Sequence, residues 1–243
     1  MKIIVLNKAE YKDKDLIISA ISETGYMSFK VRGGNVPNSP FTWLTNPLTV
    51  AEVDFIDNPR YTNKIVKGAM LLYTPLTNGN EMHNLLAISL LQEVIVKMFA
   101  DEDKHLMFNE IEKFFKTNKD NKDLTLSEII FILKALKLNG AGLEVDKCVS
   151  CGSKNDIVAF SFSEGGFLCR KCLKEDMPID LNPTQMKLFR YLAKHDYQDL
   201  IDDKVNKNIN ISDKKYLLNK VASFANETVG ANLNSVDLII KSL

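Results

Sequence analysis

All four cysteines of the chain, Cys148, Cys151, Cys169 and Cys172, fall in one stretch, CVSCGSKNDIVAFSFSEGGFLCRKC. Two C-x2-C pairs with seventeen residues between them lie within the spacing of a four-thiolate zinc site. Each such turn presents two thiolates to one ion with backbone amides aimed at the sulfurs, and zinc favours tetrahedral sulfur and nitrogen ligands. Gly152, directly after Cys151, permits the positive φ that such a turn uses. A filled four-thiolate cage leaves no position for water, so the expectation is one structural zinc and no metal catalysis. The rival readings are two thioredoxin-like redox motifs or four unrelated cysteines. A redox motif normally opens a helix after a strand in an α/β unit, and neither pair has that context.

The elements that must hold this cage follow from local pattern. Between the two pairs, DIVAFSFS and GFLC read as a hairpin through Glu164-Gly165-Gly166, which makes residues 148–177 a zinc ribbon. Helical periodicity flanks it on both sides, so the ribbon reads as an insertion in a helical domain, with residues 79–147 its first part and 178–243 its second. EMHNLLAISLLQEVIVKMF is apolar around most of its circumference and is expected inside a helical bundle. DKHLMFNEIEKFFKTN places Leu106, Met107, Ile111, Phe114 and Phe115 on one stripe. TLSEIIFILKALKLNG reads as opening with a Thr125–Glu128 capping box and closing at Gly140. Beyond the ribbon, Pro183 marks a first turn, Ser212 a cap and Gly230 a stop.

Residues 1–78 have a different period. MKIIVLNKAEY, DLIISAIS, YMSFKVR, LTVAEVDFI and YTNKIVKGAML are short segments rich in Ile, Val, Phe and Tyr, separated by turn signals including GGNVPNSP and DNPR. Five strands in so short a span predict a five-stranded OB-fold barrel. The fold class is therefore α+β: an N-terminal barrel followed by an α-helical domain with an inserted four-cysteine zinc ribbon.

Lysine plus arginine equals aspartate plus glutamate at 31 each, so a nucleic-acid site must be a local patch. Residues 1–80 hold nine basic and seven acidic side chains, whereas residues 81–147 hold nine and twelve. The cations Lys12, Lys14, Lys30, Arg32, Lys64 and Lys67 fall on barrel strands or loops, where OB-folds line a groove for single strands. Phe41 and Trp43, after Arg32, are placed either to stack on bases or to pack against the barrel, with packing favoured. Lys187, Arg190 and Lys194 recur at helical spacing as one basic face for DNA or for a partner's acidic tail.

Motifs for phosphate loops, dinucleotide folds, zinc proteases and serine hydrolases are missing, which argues against an enzyme. The pairs Asp13/Asp15 and Asp202/Asp203 read as solvated turns, and His83, His105 and His195 as packing or surface residues. The first apolar run is broken by Asn7 and Lys8, too short for a signal-peptide core, and no stretch has the length of a membrane span. A cytoplasmic protein is the expectation, and nucleoid association follows only if the chain binds DNA.

The order barrel, helices, ribbon, helices resembles the bacterial recombination mediator family RecO. The segments that carry the resemblance are YKDKDLIISAISETGYMSFKVRGG, PFTWLTNPLTVAEVDF, CVSCG with FSEGGFLCRKC, and SDKKYLLNKVASFANETVGANLNSVDLI. The resemblance implies a non-enzymatic protein that binds single- and double-stranded DNA and anneals complementary strands. It further implies work with RecR in loading RecA onto DNA covered by single-strand-binding protein, and binding of that protein's acidic, hydrophobic C-terminal tail. Where the family usually carries a basic loop, the run from Val31 to Phe41 keeps Arg32 and Ser39 but has Asn35, Val36, Asn38 and Pro40. Fewer phosphate contacts imply weaker, less salt-sensitive binding than is usual in the family. The competing class is a protein-interaction adaptor with little direct DNA contact; a thiol redox enzyme is a third.

Overall fold

The computed structural model describes residues 1–56, 64–75, 81–205 and 209–243. The expected DNPR turn, the first residues of the fifth strand segment and the expected domain change at 78/79 lie outside them. The chain divides into two compact units, Met1–Lys119 and Asp120–Leu243.

The first unit is built on five strands: β1 (Lys2–Tyr11), β2 (Asp15–Ser22), β3 (Gly25–Val31), β4 (Val50–Ile56) and β5 (Lys64–Tyr73). They close a barrel in the order β1-β2-β3-β5-β4, with β4 returning to β1. Among the described residues all pairings are antiparallel except β3 with β5, where Phe29↔Lys64 and Lys30↔Ile65 are paired, in parallel. This is the OB-fold order. The period of two sends Ile3, Val5, Leu16, Ile18, Ala20, Phe29, Val31, Ala51 and Val53 inward as one core. Leu44, from the short 3-10 turn Thr42–Thr45, joins that core.

Two helices belong to the same unit, α1 (Glu81–Met98) and α2 (Phe108–Asn118). The buried girdle of α1, including Leu90, Leu91, Val94 and Ile95, lies in the first compact unit. Gln92 Nε2 donates to the Leu6 carbonyl at 2.6 Å, which ties α1 to β1. On α2, Ile111, Phe114 and Phe115 are buried as the stripe requires, and Met107 just before it is buried too, but Leu106 is 40% exposed. Residues Lys104–Met107 form a 3-10 turn, so the helical phase starts only at Phe108 and Leu106 is carried to solvent.

The second unit packs α3 (Thr125–Leu138), α4 (Pro183–Lys194), α5 (Tyr197–Asp202), α6 (Ile211–Val229) and α7 (Ser235–Ser242) with the hairpin β6 (Ile157–Ser161) and β7 (Gly166–Cys169). Pro183 does open α4, with Asn182 as its cap, and Gly230 ends α6 in the left-handed region at φ 68°. Two expected caps are corrected. Asn210, not Ser212, caps α6 by accepting from the Asp213 N–H at 2.7 Å. At α3, Thr125 already lies inside the helix, and its N–H and hydroxyl donate to Asp123 at 3.1 and 2.8 Å. Glu128 does not fold back as a capping-box partner: it is 2% exposed, and its Oε2 has no hydrogen-bond partner.

A run of edge-to-face and tilted rings joins hairpin to helices: Phe160 meets Phe162, Phe167 and Phe189 at 5.0, 5.4 and 4.7 Å, and Phe162 meets Phe224 at 5.8 Å. Among the described residues no helix is long and apolar enough to cross a membrane.

Candidate metal centre and nucleic-acid surface

The hairpin brings its two flanking turns together. Gly152 and Gly165 adopt φ of 73° and 80°, as the knuckle and the hairpin turn require, and the Gly152 N–H donates to the Cys148 carbonyl at 2.8 Å. The four sulfurs lie within 4.8 Å of one another, with Cys151 and Cys169 Sγ at 3.7 Å. A tetrahedral ion with metal–sulfur bonds of ~2.3 Å sets sulfurs about 3.8 Å apart, so the residues fit one ion. Cys148 and Cys169 are buried with Ala159 and Leu168, whereas Cys151 is exposed.

Electrostatics points the same way. Burial pulls the Cys148 thiol upward, but the N–H groups of Cys169, Cys151 and Ser150 outweigh it and bring the thiol down to about 6. Bonding to Cys151 and Cys169 pushes the Cys172 thiol up to about 12. Four thiols packed this closely cannot all ionise without a cation between them.

On the barrel, the sequence-predicted cations are brought to one region in part. Lys12 sits in the β1–β2 turn at φ 55°, 5.5 Å from the Tyr11 ring centre. Lys30 is 4.7 Å from the same ring and 2.6 Å from Asp15 Oδ2. Lys14 is exposed, and its carbonyl accepts from Asn35 N at 3.0 Å, which fastens the loop after β3. Arg32, also exposed, precedes Gly33. Lys64 lies 5.4 Å from the Phe55 ring, beside the Phe29↔Lys64 pairing, and Lys67 is exposed further along β5. Phe41 and Trp43 are half-buried against the barrel core. Trp43→Ala is accordingly expected to lower stability by about 1–2 kcal/mol in thermal melts and to leave single-strand binding within about twofold.

Residues 79–234 match the family model described as Recombination protein O C terminal. The chain belongs to the RecO family. Similar proteins include the DNA repair protein RecO of Halalkalibacterium halodurans, 26% identical over 200 residues that cover 81% of this chain and 78% of that one. The DNA repair protein RecO of Shouchella clausii is 26% identical over 254 residues, covering 96% and 90%. That of Bacillus subtilis is 24% identical over 201 residues, covering 81% and 78%. The barrel, the helical part and the cysteine cluster of this RecO-family chain thus accompany a match that runs through both compact units.

The basic face read on α4 is largely neutralised. Arg190 donates to the Val145 carbonyl at 3.0 Å and to Asp146 at 2.9 Å, and Lys194 reaches the same Asp146 oxygen at 2.7 Å. Lys194, then Arg190, hold the Asp146 carboxyl below its ordinary range. Lys187 stays exposed on a groove of about 620 Å³ with Lys154, Ile157, Val158 and Met186. His105 and His195 are engaged locally, at the Glu102 carbonyl and against the Tyr191 ring.

Sequence reasoning missed two residues of the barrel cluster. Tyr11 is 40% exposed between two ammonium groups, a position that the aromatic-basic run YKDK signals only weakly. Asp15 is not a solvated turn: its Oδ1 accepts from the Gly33 N–H at 2.9 Å while Oδ2 holds Lys30. Those bonds, Lys30 first, keep its carboxyl below the ordinary value. Asp203 is likewise engaged, accepting from the Tyr191 hydroxyl at 2.6 Å.

Proposed function

We propose that the protein is a recombination mediator of DNA repair. It holds single-stranded DNA on the barrel, anneals complementary strands and, with RecR, helps load RecA on DNA covered by single-strand-binding protein. The observation that carries this reading is a closed OB-fold barrel, in a chain of the RecO family, whose β1–β2 turn and β3 end gather lysines around an exposed aromatic ring. Such a pairing of cations with ring faces suits strands without sequence preference. The groove between ribbon and α4, with apolar Ile157, Val158 and Met186 beside Lys154 and Lys187, suits the acidic, hydrophobic tail of single-strand-binding protein. Double-stranded DNA is a further ligand by the same phosphate contacts. We take the ion of the cysteine cage to be one zinc, bound by Cys148, Cys151, Cys169 and Cys172 as a brace, with no open position for catalysis.

A second reading, an adaptor that contacts DNA only slightly, is favoured by the engagement of Lys30 with Asp15 and of Arg190 and Lys194 with Asp146. A salt series on a fluorescent single strand separates the two. The mediator reading expects affinity to fall with salt at a slope of roughly two to five phosphate contacts, at about 0.7 per contact. Lys30→Ala with Arg32→Ala should reduce that slope by about one and weaken all sequences alike, because phosphate contacts carry no base information. Undetectable binding at low salt would leave the adaptor.

A further inference from the structure

The anion that Lys30 holds in this fold comes from the chain itself. The Asp15 carboxylate receives the Lys30 ammonium on one oxygen and the Gly33 N–H on the other, at 2.6 and 2.9 Å. Gly33 has φ 63°, a conformation that turns its N–H into the cluster and that glycine adopts without strain. A lysine ammonium beside an inward-turned glycine N–H is a cradle for a tetrahedral oxyanion as much as for a carboxylate. Tyr11 completes it. Tyr11 pairs in backbone register with Asp15 across the hairpin and is 40% exposed, and its ring centre lies 5.5 and 4.7 Å from the Lys12 and Lys30 ammoniums.

We infer that Asp15 occupies the seat of a single-strand phosphate on Lys30 and Gly33, and that a bound strand displaces it while a neighbouring base lies against Tyr11. This rests on the nucleic-acid reading of the barrel and adds to it a self-masked contact. The carboxylate and a phosphodiester each bring one negative charge to the same two donors, so only one is accommodated at a time. The consequence is a binding surface whose net attraction is held down by its own side chain, beyond the loss of cations from the loop that follows.

Asp15→Asn is the test, since the amide oxygen still accepts from Gly33 while the charge that engages Lys30 is gone. With a fluorescent oligothymidylate of about 20 nucleotides, Asp15→Asn should bind roughly two- to tenfold tighter than wild type at low salt. Its salt slope should stay close to that of wild type, because the bound strand makes the same phosphate contacts in both. Adding Lys30→Ala should abolish the gain. The Gly33 amide resonance of the wild-type protein should shift as the oligonucleotide is added, a readout that needs no variant. The inference is overturned if wild type binds but Asp15→Asn binds no tighter, if the gain survives Lys30→Ala, or if the Gly33 resonance stays still at saturation. Absence of binding by wild type and by Asp15→Asn alike would overturn the nucleic-acid reading together with it.

Discussion

Serine in place of Cys148 or Cys169 is expected to abolish metal binding and unfold the ribbon. The zinc content should drop from about one per chain to near zero, and the hairpin should become open to protease. Both sulfurs are buried at the centre of the hairpin's small core, where Ala159 and Leu168 are the only other fully enclosed members among the described residues. The cluster around the sulfurs is small, whereas a structural zinc supplies on the order of 10 kcal/mol or more of folding free energy. The loss does not stop at the hairpin. Phe160 and Phe162 lean on Phe189 of α4 and Phe224 of α6, so losing the hairpin strips both helices of ring contacts. Thermal unfolding should show the second unit's transition shifted down by more than about 10 °C, on the order expected for several kcal/mol. A metal-free, fully folded protein with an unaltered melt would overturn the proposed brace.

Glu128→Gln is expected to stabilise the protein at pH 8 by a few kcal/mol and to flatten a slope that wild type shows between about pH 4.5 and 8. Burial first, and the charge of Asp123 second, raise this carboxyl from 4.5 to about 8. The native state therefore keeps a proton that the unfolded chain has released. The stability that this neutral carboxyl permits is fully present below pH 4.5 and is lost progressively as pH rises toward 8. Asp123, at the mouth of α3, is itself held ionised: its burial is outweighed by the bond to Lys214 of α6, 2.6 Å away, and by those to Thr125. The isosteric amide removes the ionisation and keeps the shape. Urea melts at pH 5, 6.5 and 8 give the result, and parallel curves for the two proteins would refute the assignment.

Where a residue's role is set by its own strand or turn, the sequence was legible. β2 runs over the eight residues of DLIISAIS, and the hairpin with its paired cysteines was readable because spacing, glycines and alternation all act within some twenty-five residues. Misreadings arose where a distant side chain intervenes. T-x-x-E at Thr125 has the form of a capping box, yet Thr125 donates back to Asp123, Lys214, 91 residues on, joins the same carboxylate, and Glu128 lies buried. Arg190 and Lys194 form a basic face on a helical wheel, and only the fold brings Asp146 against them. Asp15 is adjacent to Lys14 in sequence but is paired with Lys30 through the strand register, which composition does not encode.

Among the described residues the parallel pairing of β3 with β5 joins Phe29 to Lys64 and Lys30 to Ile65, and with the three-residue pairing of β1 and β4 it is one of the two short pairings of the barrel. Opening by local fluctuation falls first at such a seam, since little has to be broken there. Lys30 stands on one lip and Lys64 on the other. A polyanion held by both ammoniums spans the gap and binds the closed barrel better than the open one. By mass action its free energy of binding is then added to the closure of the barrel, so a DNA strand bound as proposed would act as a clamp across this pairing.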